Sequence, residues 1–376
     1  MSARGWRLLA LIVAAVLLCV LGQPSAAFAD TVRDMQWHLR FLDVAKAQQV
    51  SQGAGVLVGV VDAGVDATHP DLAGNVLPGT DVFVGSNGGD GWTDTDGHGT
   101  RMAGLIAGHG HGPGNADGIL GIAPQAKILP ARVGTSGFGG LTDIPDGITW
   151  TADHGARVIS ISAGSSNHTH DLDRAINTAL ARDIVVVAGA GNVSQGDNAV
   201  IYPAAYPGVV AVGGVDQNGN HSRDSVTGAQ LVLSAPSVDI TTAGLNHRYG
   251  RSSGTSDATA IVAGAAALVR AKFPNLSAAE VIHRLTATAI DKGPPGRDDQ
   301  YGYGIVNLVG ALTADVPPLS PSPSASHAPS APNPPAAAPP ASGSSTKWPL
   351  IGAGIVLIVL LAAGGVILTL RRPSAP

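Results

Sequence analysis

Residues 55–62 read GVLVGVVD, a nearly unbroken apolar run that stops at a carboxylate. A strand covered on both faces has this composition, because neither face carries side chains for water. Similar runs recur at Lys127 to Val133, Arg157 to Ile161, Ile184 to Ala188 and Val209 to Gly213. Helix-like segments lie between them, at Gly99 to Ala107, Leu141 to His154 and Leu172 to Arg182. Apolar strands alternating with helices predict an α/β fold, a mostly parallel twisted sheet with helices on both faces. Ser277-Ala278-Ala279-Glu280 opens a further helix as a capping box. Ligand sites of such sheets gather at the carboxyl ends of the strands, which is where Asp62 falls.

The ends of the chain carry separate signals. Residues 1–29 are expected to be a secretory signal peptide: Arg4 and Arg7, the apolar run Leu8 to Leu21, and Ala27-Phe28-Ala29 before Asp30. An uncleaved anchor is the competing reading, and the cleavage site and the Gln23-Pro24-Ser25 break disfavour it. Cys19 does not make a lipoprotein site, because bulky Leu18 precedes it. Residues 30–53 form a lead-in, 54–314 one folded domain, and 315–347 a linker rich in Pro, Ser and Ala. Such a tract is extended and structureless. Residues 348–370 are expected to be a transmembrane helix, since Leu350 to Leu370 carries no charge and is long enough to span a bilayer. Arg371 and Arg372 place the tail, 371–376, in the cytoplasm. Loss of the signal removes the single cysteine, so core packing without disulfides must hold the domain. The net charge of −5, with no basic run outside the ends, excludes nucleic acid as a partner.

Three stretches carry candidate chemistry: VVDAGVDATHPDL (60–72), DGHGTRMAGLIAG (96–108) and GTSDATAIVAG (254–264). They present Asp62, His98 and Ser256. A hydroxyl activated by an imidazole, itself oriented by a carboxylate, is what acyl transfer requires, and Asp–His–Ser is one of the known chain orders. Each residue also has a plainer reading: a strand-end turn for Asp62, a helix-start histidine for His98. Ser256 precedes an apolar, small-residue helix (Ala258 to Lys272, ended by Pro274), where a serine is commonly an N-cap. The reading adopted gives Ser256 both jobs.

Together the three stretches resemble the aspartate, histidine and serine motifs of the subtilisin-type serine proteases, the subtilases, over about residues 36–312. The resemblance implies a subtilisin-like fold, a catalytic set of Asp62, His98 and Ser256, and an extended polypeptide substrate. VVVAGAGN (185–192) resembles the segment that ends in the oxyanion asparagine, which makes Asn192 the matching residue. Ile159 to Gly164 resembles the substrate-binding strand, so Ser162, Ala163 and Gly164 would pair with substrate and line the primary pocket; an ordinary edge strand is the alternative. Two departures stand out: Asp257 fills the place usually held by Met, and Ala260 that of Pro. Asp257 at a helix start is locally favourable. Its charge is expected to raise the His98 pKa and disfavour acidic residues after the scissile bond.

No metal is expected in the chemistry. Asp66, His69, Asp71, Asp94, Asp96, His109 and His111 lie near the motifs, but without the helical His-x-x-x-His spacing. Subtilases often carry structural calcium on oxygen ligands, and Asp71 is the conceivable ligand, so a structural calcium stays open. Signal, domain, Pro-rich stalk and terminal helix together resemble the mycosins, membrane-anchored subtilases associated with type VII secretion. The Trp37-His38-Leu39 lead-in fits that layout, and the stretch before the first strand is too short for a large folding pro-domain. Mycosins often have disulfides in the domain, and this chain differs there. The layout implies a cell-membrane enzyme with its domain outside and type VII secretion components as partners. The rival readings are a scaffold subunit with vestigial activity and a metallohydrolase.

Overall fold

In the computed structural model, residues 31–83, 85–134 and 143–319 are described. The expected signal peptide, most of the Pro-rich tract, the expected transmembrane segment and the tail after it lie outside them. Among the described residues no helix is long and apolar enough to cross a membrane.

Three short helices, α1 (Thr31–Asp34), α2 (Trp37–Phe41) and α3 (Val44–Val50), lead into β1 (Leu57–Asp62). Then come β2 (Thr80–Asp81), α4 (His98–Ala107), β3 (His109–His111), β4 (Asp117–Leu120), β5 (Lys127–Arg132), α5 (Ile144–Asp153) and β6 (Val158–Ile161). They are followed by α6 (His170–Ala181), β7 (Val185–Gly189), β8 (Val210–Val215), β9 (Leu231–Pro236) and the hairpin strands β10 (Ile240–Ala243) and β11 (Tyr249–Ser252). The last elements are α7 (Thr255–Lys272), α8 (Ala278–Ala287) and α9 (Leu308–Thr313). Seven strands form one sheet in the order β2-β5-β1-β6-β7-β8-β9, and every pairing in it is parallel.

The apolar strands are continuous because alternate residues enter two cores. Val58, Val60, Val158, Val185 and Val187 face α4, α7 and α8. Val61, Ile159, Ile161, Val186 and Ala188 face α5 and α6. The period of two along a strand thus produces the two helical layers expected from the sequence. The capping box of α8 forms as read: Ser277 Oγ accepts from Glu280 N at 3.2 Å, and Glu280 Oε2 accepts from Ser277 N at 2.8 Å. The strands β9, β10 and β11 are unassigned in the sequence reading. No α-helix separates β8 from β9, so the alternation that reveals the other strands is missing there.

The register levels the carboxyl ends. Val61 pairs with Ile161, and Ile161 with Ala188. The next residues, Asp62, Ser162 and Gly189, therefore leave three neighbouring strands at one height. The lead-in is tied to the folded domain by side-chain hydrogen bonds. Trp37 Nε1 donates to Val238 O at 3.0 Å, and Gln36 exchanges hydrogen bonds with Leu120, donating to its carbonyl at 3.0 Å and accepting from its N–H at 2.8 Å.

Helix α7 is buried from Thr255 to Arg270 apart from Ser256. It crosses the first core with glycine where it meets the segment after β4: a Cβ on Gly264 would stand 2.7 Å from Ile122 Cβ. That neighbour atom is adjacent to backbone and cannot swing aside. Alanine would ordinarily gain about 1 kcal/mol of helix propensity over glycine. Gly264→Ala is nevertheless expected to destabilise the domain, by a net of about 1–2 kcal/mol from overpacking. A lowered thermal midpoint in calorimetry checks this, and an unchanged or raised midpoint contradicts it.

Candidate active site

His98 is the first residue of α4, and two acidic side chains hold it there. Asp96 Oδ1 accepts from His98 N at 2.8 Å. Asp94 accepts from Gly97 N at 2.8 Å, Thr100 N at 2.9 Å and Thr100 Oγ1 at 2.6 Å. Burial pushes the Asp94 carboxyl up, against the lowering effect of the Thr100 and Gly97 donors. The helix start docks directly on the loop after β1, because a Cβ on Gly99 would collide with the carbonyl oxygen of Gly64. This close approach brings His98 Nδ1 to 2.8 and 3.0 Å from the two oxygens of Asp62. Asp62 Oδ1 also accepts from Ala63 N at 2.7 Å. Both residues are buried. Burial lowers the His98 pKa, but the charge and hydrogen bond of Asp62 outweigh it, so the imidazole ends above its ordinary value.

Ser256 requires a correction. It is not the N-cap of α7: Gly254 occupies that position, without a side-chain cap bond. Ser256 is the second helical residue, and its Oγ donates to Ser162 O at 3.3 Å. The hydroxyl is therefore turned across to the β6 end, away from the orphan N–H groups of its own helix. Ser162 Oγ donates to Ser256 O at 3.4 Å, closing the pair. Asn192 follows β7 by three residues. Its Oδ1 accepts from Thr255 N at 2.9 Å and lies 3.3 Å from Thr255 Oγ1. The carbonyl side of the amide is thus occupied, and the NH₂ is turned toward the other side. Thr255, absent from the sequence reading, sets this orientation; its place directly before the candidate serine is the signal that could have found it.

Ser162, Ala163, Gly164, Gly189, Asn192 and Ser256 line one pocket of about 360 Å³. No residue of the lead-in is among its lining. The expected substrate strand divides in two. Ile159 to Ile161 belong to β6, an interior strand paired on both sides, so the edge-strand alternative is wrong for them. Ser162 to Gly164 run past the sheet, and Ser165 then exchanges hydrogen bonds with Tyr202, N to O at 2.9 Å and O to N at 2.8 Å. Asp257 is buried, and its Oδ1 accepts from Ser252 Oγ at 2.7 Å. Burial pushes its pKa from 3.8 to about 6, against the lowering effects of Ser252, His98 and Arg101. Its charge raises His98, but less than Asp62 does. Ala260 sits in uninterrupted helix and leaves no mark on the backbone.

The oxygens around Asp71 are met by nitrogen donors. Asp71 is fully buried, with Oδ1 accepting from His111 Nδ1 at 2.6 Å and Oδ2 from Ile119 N at 2.8 Å. Asp71 N–H donates to His69 Nδ1 at 3.2 Å. The neighbouring carbonyls of Gly118, Asn115 and Asp117 accept from the Arg33 guanidinium at 3.1, 2.8 and 3.0 Å. Oxygen atoms that would attract calcium thus already face nitrogen donors. His109 turns to the Gly110 and Ala73 carbonyls, at 2.6 and 2.9 Å. Among the described residues no group of three or more His, Cys, Asp or Glu is arranged to hold a metal.

Comparison with known proteins agrees with this architecture. The profile of the subtilase family (Peptidase_S8) matches residues 53–304. Subtilisin DY of Bacillus licheniformis is 39% identical over 263 residues, covering 69% of this chain and 92% of that protein. A solved structure of MycP1, described as an essential component of the type VII (ESX-1) secretion system, superposes with a TM-score of 0.66 at 31% identity, over 77% of this chain and 90% of its own. MycP1 from Mycobacterium smegmatis gives 0.65 at 28% identity, over 78% and 88%. A profile that spans the whole sheet and the helices on both its faces, with a relative 39% identical over 263 residues, places the chain in the subtilase family of serine endopeptidases.

Proposed function

We propose that Ser256 is the nucleophile, His98 the general base and acid, Asp62 the group that orients it, and Asn192 an oxyanion donor. The observation that carries this reading is the buried contact of His98 Nδ1 with both oxygens of Asp62, at 2.8 and 3.0 Å. It fixes the proton on Nδ1 and leaves Nε2 as the basic nitrogen. Nε2 takes the Ser256 hydroxyl proton as Oγ bonds to the scissile carbonyl carbon. The carbonyl π bond opens to an oxyanion, which the Asn192 NH₂ and the Ser256 backbone N–H receive. His98 then passes its proton to the departing amine as the C–N bond breaks, leaving an acyl-enzyme. Water, deprotonated by His98, repeats the sequence and releases the acid. Asp62 remains ionised throughout and stabilises the imidazolium. Loss of one oxyanion donor costs on the order of 100-fold or more in rate.

The membrane anchor, the extracytoplasmic placement of the domain and a link to type VII secretion belong to the same proposal. Their support is the sequence layout and the likeness to MycP1 over the folded domain. A scaffolding role would coexist with proteolysis if Ser256→Ala retained complex assembly.

Full-length protein treated with a fluorophosphonate probe should be labelled, and Ser256→Ala should not be. Peptide hydrolysis should fall at least 1,000-fold in that variant. A folded wild type that takes no label would move the scaffold reading to the front.

Asp257 supplies a pH test. Its folded pKa of about 6 lies above the ordinary 3.8, so the folded state holds this proton more tightly than the unfolded chain. The cost of burying the charge appears as pH rises through that interval and is complete above about 6, at about 3 kcal/mol as an upper figure. Asp257→Asn should therefore be more stable than wild type at pH 8 and nearly equal at pH 4. Removing the charge should also lower the acid-limb pKa of kcat/KM and relax discrimination against acidic residues after the scissile bond. Unchanged pH–rate profiles and unchanged preference would rule out a part for Asp257 in the reaction.

We also infer that Arg33 and His111, rather than calcium, hold the 109–120 loop. Chelator should shift the thermal midpoint of the wild type by less than about 1 °C, while Arg33→Ala lowers it by a few degrees, as expected when two half-buried carbonyls and one exposed carbonyl lose their donor. A large chelator effect on wild type would reverse the assignment.

A further inference from the structure

The pocket beside Ser256 has one charged side chain among its described lining, Asp197. Its nearer walls are small: Ala163, Gly164, Gly189 and Gly191 leave room for a long, unbranched side chain. Asp197 does not hang loose in solvent. Its Oδ2 accepts from Asn192 N at 2.8 Å, and its own N–H donates to Asn192 O at 3.3 Å. The turn through Val193–Gln195 is closed by this pair of bonds. The carboxylate also rests against the pocket wall, since a Cβ on Gly191 would stand 2.8 Å from Asp197 Oδ2. Gly191 has φ +111°, a conformation that also favours glycine.

One oxygen is thus committed to the backbone. No donor of the described residues reaches the other. A carboxylate held in one orientation, half-buried, with a free acceptor oxygen in a substrate pocket, favours a cationic group over a neutral one. Gln195 lines the same pocket and adds a neutral amide that can share the contact.

Resting on the reading of Ser256 as nucleophile, we infer that Asp197 makes this a pocket for a basic side chain, so the enzyme cleaves after Lys or Arg. The aliphatic stem of the substrate residue lies between the small walls, and its ammonium or guanidinium meets Asp197. Ile201, also in the lining, contacts the stem. Asp197 is in this account a specificity-determining residue with no part in bond breaking.

The test uses the full-length chain and a set of peptidyl anilides that differ only in the residue before the scissile bond: Lys, Arg, norleucine, Gln and Phe. The wild type is expected to favour Lys and Arg over norleucine by at least 10-fold in kcat/KM. Asp197→Asn keeps an acceptor for Asn192 N–H, and it should lower the Lys-to-norleucine ratio 10- to 100-fold, the range of a hydrogen bond to a charged partner. Asp197→Glu should restore part of that ratio. Raised salt should erode the Lys preference of wild type and not that of Asp197→Asn. A wild type that prefers Phe or norleucine overturns the proposal. So does an Asp197→Asn variant in which every substrate loses rate in proportion, because Asp197 would then serve only the Asn192 turn. Fluorophosphonate labelling of the same samples separates the two failures: labelled enzyme without basic preference sinks this inference alone, whereas unlabelled, inactive enzyme sinks the nucleophile assignment and this inference with it.

Discussion

Burial of α7 is the constraint on which the rest of the domain depends. A helix apolar on every side has no face to offer water, so it must be enclosed by sheet on one side and helices on the other. Strands β6 to β9 and helix α4 supply that enclosure. Once α7 is enclosed, its first turn has only one place to emerge, at the carboxyl edge of the sheet. Ser256 is the single residue of the segment from Thr255 to Arg270 that is not buried. Packing of the helix and delivery of its serine are one event.

Buried or half-buried carboxylates set the electrostatics around that serine. Asp62 faces an imidazole and raises its pKa. Asp94 spends its oxygens on the start of α4 and fixes where the imidazole stands. Asp257 has a hydroxyl and distant cations as company, and burial drives it toward its neutral form. Asp197 is tied to the backbone of the turn that begins at Asn192. These four side chains are one chemical type, and their behaviours differ because each was given a different set of donors. In a low-dielectric surrounding the identity of the donor matters more than the acid itself.

Much of this was legible in the chain. The two-sided apolar runs announced a parallel sheet, and strand ends fell within about two residues of their expected places. The capping box at Ser277 formed as written. His98 meets Asp62, and Ser162, Asn192 and Ser256 line one pocket. The errors have physical causes. Ser256 looked like a cap because local sequence registers only the helix that follows it. Its hydroxyl chose the Ser162 carbonyl, 94 residues away along the chain. The partners of Asp71 were not legible either, because sequence shows a carboxylate and not the His111 and Ile119 donors that reach it. Ile159 to Ile161 looked like a free edge because a strand's neighbours are invisible until the strand order is known.

The sequence by itself determined the periods: which residues alternate between two cores, which helix must be buried all round, and which short motifs punctuate the strand ends. These are properties of neighbours along the chain, and burial of apolar surface acts on them directly. Only the tertiary structure decided the partners. That Thr255 turns the Asn192 amide, that Arg33 binds the loop carbonyls, and that Asp197 enters the pocket all depend on groups separated by tens of residues or on a turn closing upon itself. A hydrogen bond is satisfied by geometry at about 3 Å, and no periodicity along the chain encodes which of many donors will arrive there.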